Sequence, residues 1–215
     1  MCIRDSSKRG SRRNIAWHYD LGNDFYGLWL DPSMTYSAAL FEGPGESLQS
    51  AQDNKYRRMA ELAAIGPDHH VLEVGCGWGG FCSWAAREIG CRVTAITISQ
   101  DQYDYAAKRL QAEGLNDRVE LRFQDYRELD GNFDRLVSIE MLEAVGEAYW
   151  PTYFAMLRDR LRPGGRAARE RLRRREGAAL DARAERRVSG VHGELRVRRA
   201  RRRSSGSVGA ARDGM

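Results

Sequence analysis

The chain has 215 residues, enough for one α/β domain with its own core. Its formal charge of +5 hides an asymmetry: Lys and Arg number 19 against 24 Asp and Glu up to residue 165, and 16 against 6 after it, so a nucleic-acid surface would rest on the tail alone and no nucleic-acid partner is expected. Cys2, Cys76, Cys82 and Cys91 form no C-x-x-C pair, and no apolar run approaches the roughly 20 residues of a membrane span, which points to no metal site and to a cytoplasmic protein, soluble or at most peripheral to the inner membrane face.

Residues 1–13 are polar and aperiodic and read as a disordered lead. From Asn14 the texture turns aromatic and acidic, with Trp17-His18-Tyr19-Asp20, Gly22-Asn23-Asp24-Phe25-Tyr26, Leu30-Asp31 and Tyr36-Ser37 in order. That density of rings exceeds a linker's, so residues 14–66 are expected to form a helical cap or lid. Ser47 can cap a helix from Leu48 to Ala64 with Leu48, Ala51, Tyr56, Met59, Leu62 and Ala63 broadly on one face, ended by Gly66-Pro67.

The core, residues 67–165, is organised around Val71-Leu72-Glu73-Val74-Gly75-Cys76-Gly77-Trp78-Gly79-Gly80. An apolar run with one carboxylate reads as a buried parallel strand, and the glycines let backbone turn sharply and approach a ligand. The following helix, Phe81 to Ile89, closes at Gly90. Gly75, Gly77 and Gly80 also satisfy the dinucleotide G-x-G-x-x-G pattern, but the second strand, residues 92–99, ends in hydroxyls with Asp101 two residues beyond rather than an acid at its tip. With the Glu73-x-Gly75-x-Gly77-x-Gly79 register, the stretch resembles the S-adenosylmethionine (SAM) loop of class I methyltransferases.

A helix over residues 100–110, opened by Ser99, leads to a third strand, Val119 to Phe123, which delivers Asp125-Tyr126-Arg127 to the carboxyl edge of the sheet. A fourth strand, Phe133 to Ile139, delivers Glu140 to Gly146 to the same edge, where ligands of open α/β sheets collect. A helix from Tyr149 to Leu161 precedes Pro163-Gly164-Gly165. Beyond it come 16 Arg and no Lys, with no stretch aliphatic enough for a buried strand, so residues 166–215 are expected to be a disordered, non-native tail from a shifted reading frame, testable by sequencing the source DNA.

The order of aromatic motifs followed by the glycine loop resembles the cyclopropane-fatty-acyl-phospholipid synthase family, which includes the mycolic acid cyclopropane synthases, over residues 14–165. The resemblance implies an α/β, Rossmann-like class I methyltransferase fold, here with its later strands missing. It implies SAM as cofactor, with Tyr36 and Ser37 at the methionine end, the loop with Glu73, Gly75, Cys76, Gly77 and Gly79 along its backbone, Thr97, Ser99 and Gln102 at the ribose, and Asp125 and Tyr126 at the adenine. The implied reaction moves a methyl group onto the double bond of an unsaturated phospholipid acyl chain, at a peripheral membrane surface. The family's base is taken to be bicarbonate held by a Cys, a Glu, a His and a Tyr; Glu143 falls on the glutamate and is the expected catalytic residue. Ala38 and Ala144 stand where the Cys and commonly the His belong, which leaves a methyl- or methylene-branched product open beside the cyclopropane. A methyltransferase for another small molecule and an Arg-rich interaction protein are the rival readings, and oligomeric state is not legible.

Overall fold

A computed structural model of the protein describes residue 10, residues 22–170 and, as backbone, residues 193–196. The expectations for residues 1–13, for Trp17 to Asp20 and for most of the tail lie outside the described residues.

Helix α1 (Asn23–Gly27) is a single aromatic-rich turn. Helix α2 (Leu48–Ala63) starts where Ser47 accepts the amide of Ser50 and stops at Ala64, whose φ of 51° breaks the repeat two residues before Gly66. Strand β1 (His70–Val74) runs into helix α3 (Gly80–Trp84), which continues as a π turn over Ala85–Ile89 to left-handed Gly90. Then follow β2 (Arg92–Thr97), α4 (Gln100–Ala112) capped by Ser99, β3 (Val119–Phe123), β4 (Phe133–Ile139), α5 (Trp150–Arg160), β5 (Leu161–Glu170) and β6 (Gly193–Arg196).

The sheet order is β3-β2-β1-β4-β5-β6. The first five strands are parallel, and β6 joins antiparallel to β5. The chain winds outward from β1 to β3 and then returns to the other side of β1, so the winding reverses between β1 and β4, where such sheets bind ligands. One face is packed by α2, α3 and α4 through Tyr56, Met59, Phe81, Cys82, Ala85 and Leu110; the other by α5 through Tyr153 and Leu157, against Leu72, Val74 and Leu136.

Two expectations are corrected. The segment after Gly165 is not strandless: Arg166 to Glu170 extends β5 in register with Arg135 to Ile139 of β4, with Ala167 and Ala168 buried. The strand forms because burial between neighbouring strands rewards two alanines even without a β-branched side chain, while Arg169 lies over the Phe154 ring at 5.5 Å. Gly165 must be glycine, since a Cβ there would sit 2.9 Å from the Arg162 carbonyl and 3.0 Å from that of Asp134. The buried face of α2 also differs: Leu48 is exposed, and Gln52, Asn54 and Lys55 are buried with Ala51, Tyr56 and Met59.

Candidate functional site

The turn after β1 bends through Gly75, Gly77 and Gly79, with φ of 80°, 54° and 84°. Left-handed backbone at three alternate positions requires glycine or strain. A Cβ on Gly75 would stand 3.0 Å from Met141 Sδ, so the loop abuts the turn after β4. A Cβ on Gly77 would meet nothing within 4 Å, which makes this the part of the loop that faces open space. Cys76 is buried with its thiol pushed well up by burial, and its amide and carbonyl are spent on the Ile96 carbonyl and the Gly79 amide, which fixes the shape of the bend.

Glu73 lies beneath the loop, 2% exposed, with Oε2 buried and without a partner. Burial raises its carboxyl to about 8, against hydrogen bonds from Cys82 and the nearby charge of Lys55. At the end of β2, Thr97 donates to Gln102 Oε1 at 2.9 Å, and Ser99 Oγ accepts the Gln102 amide at 3.4 Å. That network holds the Gln102 side chain in place and leaves its amide nitrogen as the group not used within the turn. Asp125 caps the short turn Tyr126–Glu128 and is itself gripped by Arg127, with contacts of 2.9 Å to Oδ1 and 2.6 Å to Oδ2. Tyr126 is buried with its ring 5.4 Å from that of Tyr153. These residues, placed by three different strands, all reach the carboxyl edge.

The aromatic segment packs over this edge. Trp78 Nε1 donates to Asn23 Oδ1 at 2.6 Å, and Trp78 is buried with Tyr26 and Met34. Arg109 of α4 donates to the carbonyls of Ser33, Pro32 and Trp78, tying strap and loop together. Gly80 permits the close approach, because a Cβ there would clash with the Tyr56 hydroxyl and lie 3.0 Å from Thr35 Oγ1. Tyr36 is exposed at the rim and Ser37 is half-buried.

Three charged groups that the sequence did not single out surround this strap. Lys55 is fully buried and donates to Ser37 Oγ; Glu140 Oε1 accepts the Ala38 amide at 2.8 Å; Glu170 is 4% exposed with Oε2 unpartnered. Burial drives the carboxyls of Glu140 and Glu170 up, Glu170 to about 7, with Lys55 opposing the rise in each. Glu143 lies exposed in the turn after β4, close enough to add charge to both. The i, i+4 spacing of Ala51, Lys55 and Met59 was the available signal for Lys55.

Residues 6–186 match the family model for mycolic acid cyclopropane synthetase. The chain belongs to that family. It is 43% identical over 171 residues to tuberculostearic acid methyltransferase UfaA1 of Mycobacterium tuberculosis, covering 76% of this chain and 40% of the relative. It is 42% identical over 148 residues to the cyclopropane-fatty-acyl-phospholipid synthase of Escherichia coli K12, covering 69% of this chain and 37% of the relative. The chain thus spans about two fifths of the length of these family members. Among solved structures, the cyclopropane synthase MmaA2 from Mycobacterium tuberculosis superposes with a TM-score of 0.72 at 28% identity, covering 75% of this chain and 56% of that one. The mycolic acid cyclopropane synthase CmaA1, solved with S-adenosylhomocysteine and CTAB, superposes with a TM-score of 0.70 at 31% identity, covering 74% and 56%. The class I methyltransferase fold is therefore that of the family's solved members. No helix among the described residues is long and apolar enough to cross a membrane.

Proposed function

We propose that the chain is the cofactor-binding part of an enzyme that transfers the methyl group of SAM to the double bond of an unsaturated phospholipid acyl chain. The observation that carries this is the open bend at Gly77, set where the sheet's winding reverses, with the Tyr36–Ala38 strap held by Glu140 from the end of β4. The donor set fits SAM: the backbone of Gly75, Cys76, Gly77 and Gly79 takes the cofactor's length above Glu73, Thr97, Ser99 and Gln102 offer hydroxyl and amide groups to the ribose, and the Asp125-Tyr126 turn borders the adenine. Tyr36 and Ser37 close over the amino-acid end. When bound, SAM supplies a methyl group activated by a sulfonium.

The carboxylates do the remaining work. An alkene that accepts a methyl cation becomes positive, and the carboxylate of Glu143, exposed next to Glu140 and Glu170, sets negative charge near it. Glu143, exposed in that group, receives the proton that leaves the carbon skeleton as the ring or the branch forms. Bicarbonate finds neither of two side-chain donors here, because Ala38 and Ala144 stand in their places, so the proton is assigned to Glu143 itself. This favours a branched product that keeps a double bond, exocyclic as a methylene or within the chain beside a methyl branch, over a cyclopropane. Beside the rim, Phe25, Leu28 and Trp29 are exposed, Leu28 by 83%, and Trp29 lies 5.4 Å from Tyr36; rings at this position suit peripheral contact with a lipid surface.

Methyl-labelled SAM incubated with vesicles of dioleoyl or of dipalmitoyl phosphatidylglycerol tests the reading. Label is expected in the unsaturated lipid alone. Equal label in both lipids contradicts it. So does no label in either once the chain is extended with a relative's C-terminal segment.

A further inference from the structure

Ser37 and the peptide that follows it are held by three side chains. Gln52 Nε2 donates to its carbonyl at 3.0 Å, the amide of the next residue is fixed by Glu140 Oε1 at 2.8 Å, and its hydroxyl oxygen accepts from Lys55 Nζ. An ammonium has three N–H donors and no lone pair, so Ser37 Oγ can only accept in this contact. The hydroxyl proton is thereby turned away from Lys55, and the positive charge behind the oxygen polarises it. Ser37 keeps part of its surface, whereas Lys55 is fully buried and meets no ligand itself. A polarised hydroxyl with its proton committed outward is a donor for an anionic oxygen.

We propose that Lys55 is a positioning residue that makes Ser37 a dedicated hydrogen-bond donor to the carboxylate at the amino-acid end of the cofactor. The inference rests on the SAM-binding reading and adds the chemical class of group recognised at Ser37. Burial draws the Lys55 ammonium down, and the charges of Glu170, Glu140, Asp31 and Glu73 oppose the fall; the contact to Ser37 Oγ holds the amine as the donor of the pair. The alternative role for Lys55, neutralising the carboxylates packed around it, makes no distinction between ligands with and without an amino-acid end.

Isothermal titration of the 215-residue chain with S-adenosylhomocysteine and with methylthioadenosine, which lacks the amino-acid end, separates the two. The wild type is expected to prefer S-adenosylhomocysteine. Lys55→Met and Ser37→Ala are each expected to weaken S-adenosylhomocysteine about tenfold and leave methylthioadenosine unchanged, the usual scale for one charge-assisted hydrogen bond. The double variant is expected to match either single one, since both remove the same contact. If Lys55→Met does not melt cooperatively, Ser37→Ala, on a half-buried loop, carries the measurement. Equal losses for both ligands, no loss for S-adenosylhomocysteine, or additive losses in the double variant overturn the proposal. A wild type that binds both ligands equally overturns it while leaving the adenosine site standing; one that binds neither overturns the SAM reading and this inference together.

Discussion

Glu140, at the carboxyl end of β4, accepts the amide proton of Ala38 at 2.8 Å across 102 residues of chain. It does so from a left-handed backbone, φ 47°, that a non-glycine residue adopts only at a cost. One bond therefore joins the strap over the glycine loop to the strand that carries the candidate base.

Glu140→Gly removes the bond and the strain together. The two effects offset, each about 1 kcal/mol, so the melting temperature is expected to stay within a few degrees. Hydrogen exchange at residues 35–38 is expected to accelerate, while Glu140→Ala, which keeps the strain, melts lower. Unchanged exchange in both variants would show that the strap does not depend on this contact.

Gly80 lets α3 start directly beneath Tyr56 and the strap. Gly80→Ala is expected to cost about 2 kcal/mol in urea unfolding, because the new Cβ meets a hydroxyl held by Thr35 in a packed interior. Combining it with Tyr56→Phe removes that hydroxyl, so the double variant is expected to lose less than the sum of the two single losses. Strict additivity would contradict the stated clash.

The buried carboxyls predict a dependence of stability on pH. Glu73 and Glu170, raised to about 8 and about 7 from an ordinary 4.5, hold protons in the folded chain that the unfolded chain releases. The stability they contribute is complete below about pH 4.5 and is lost as pH rises through 7 and 8. Lys55, lowered to about 8 from 10.5, acts in the opposite sense above pH 8, where loss of its proton relieves the burial of its charge. Urea midpoints are therefore expected to fall from pH 5.5 to pH 8, and to fall less in Glu73→Gln and Glu170→Gln.

Much of this architecture is legible from residue patterns. The glycine loop, strands β1 to β4 and the helices between them announce themselves by apolar runs ending at Gly90, Ser99 and Asp125, whose turn chemistry is local. What is not legible depends on partners distant in sequence. Arg166-Ala167-Ala168-Arg169-Glu170 has no strand signature, and becomes one because β4 supplies a ladder and because Ala167 and Ala168 fit the space between helices. Lys55 and Glu140 look like ordinary surface charges until the strap folds back over them. Glu143 stands at the expected edge, but the buried carboxylates beside it appear only when β4 and β5 are paired.

That pairing is testable at Ala168, which is fully buried. Ala168→Glu places an unpaired charge in the core and is expected to cost more than 3 kcal/mol or abolish cooperative unfolding. Ala168→Gly is expected to lose about 1 kcal/mol. A chain unaffected by glutamate there would contradict the pairing of the segment after Gly165 with β4.

The central claim is that the bend at Gly77 holds the SAM skeleton, and titration of S-adenosylhomocysteine into the wild type and Gly77→Ala tests it most directly. A Cβ at Gly77 meets no protein atom within 4 Å, so the variant is expected to lose only about 1 kcal/mol of stability to its backbone strain while occupying the space the ligand needs. One ligand per wild-type chain, with affinity at least tenfold weaker in a Gly77→Ala chain that still melts cooperatively, is the predicted result. Equal affinity in the two, or no binding to the wild type, would contradict the account.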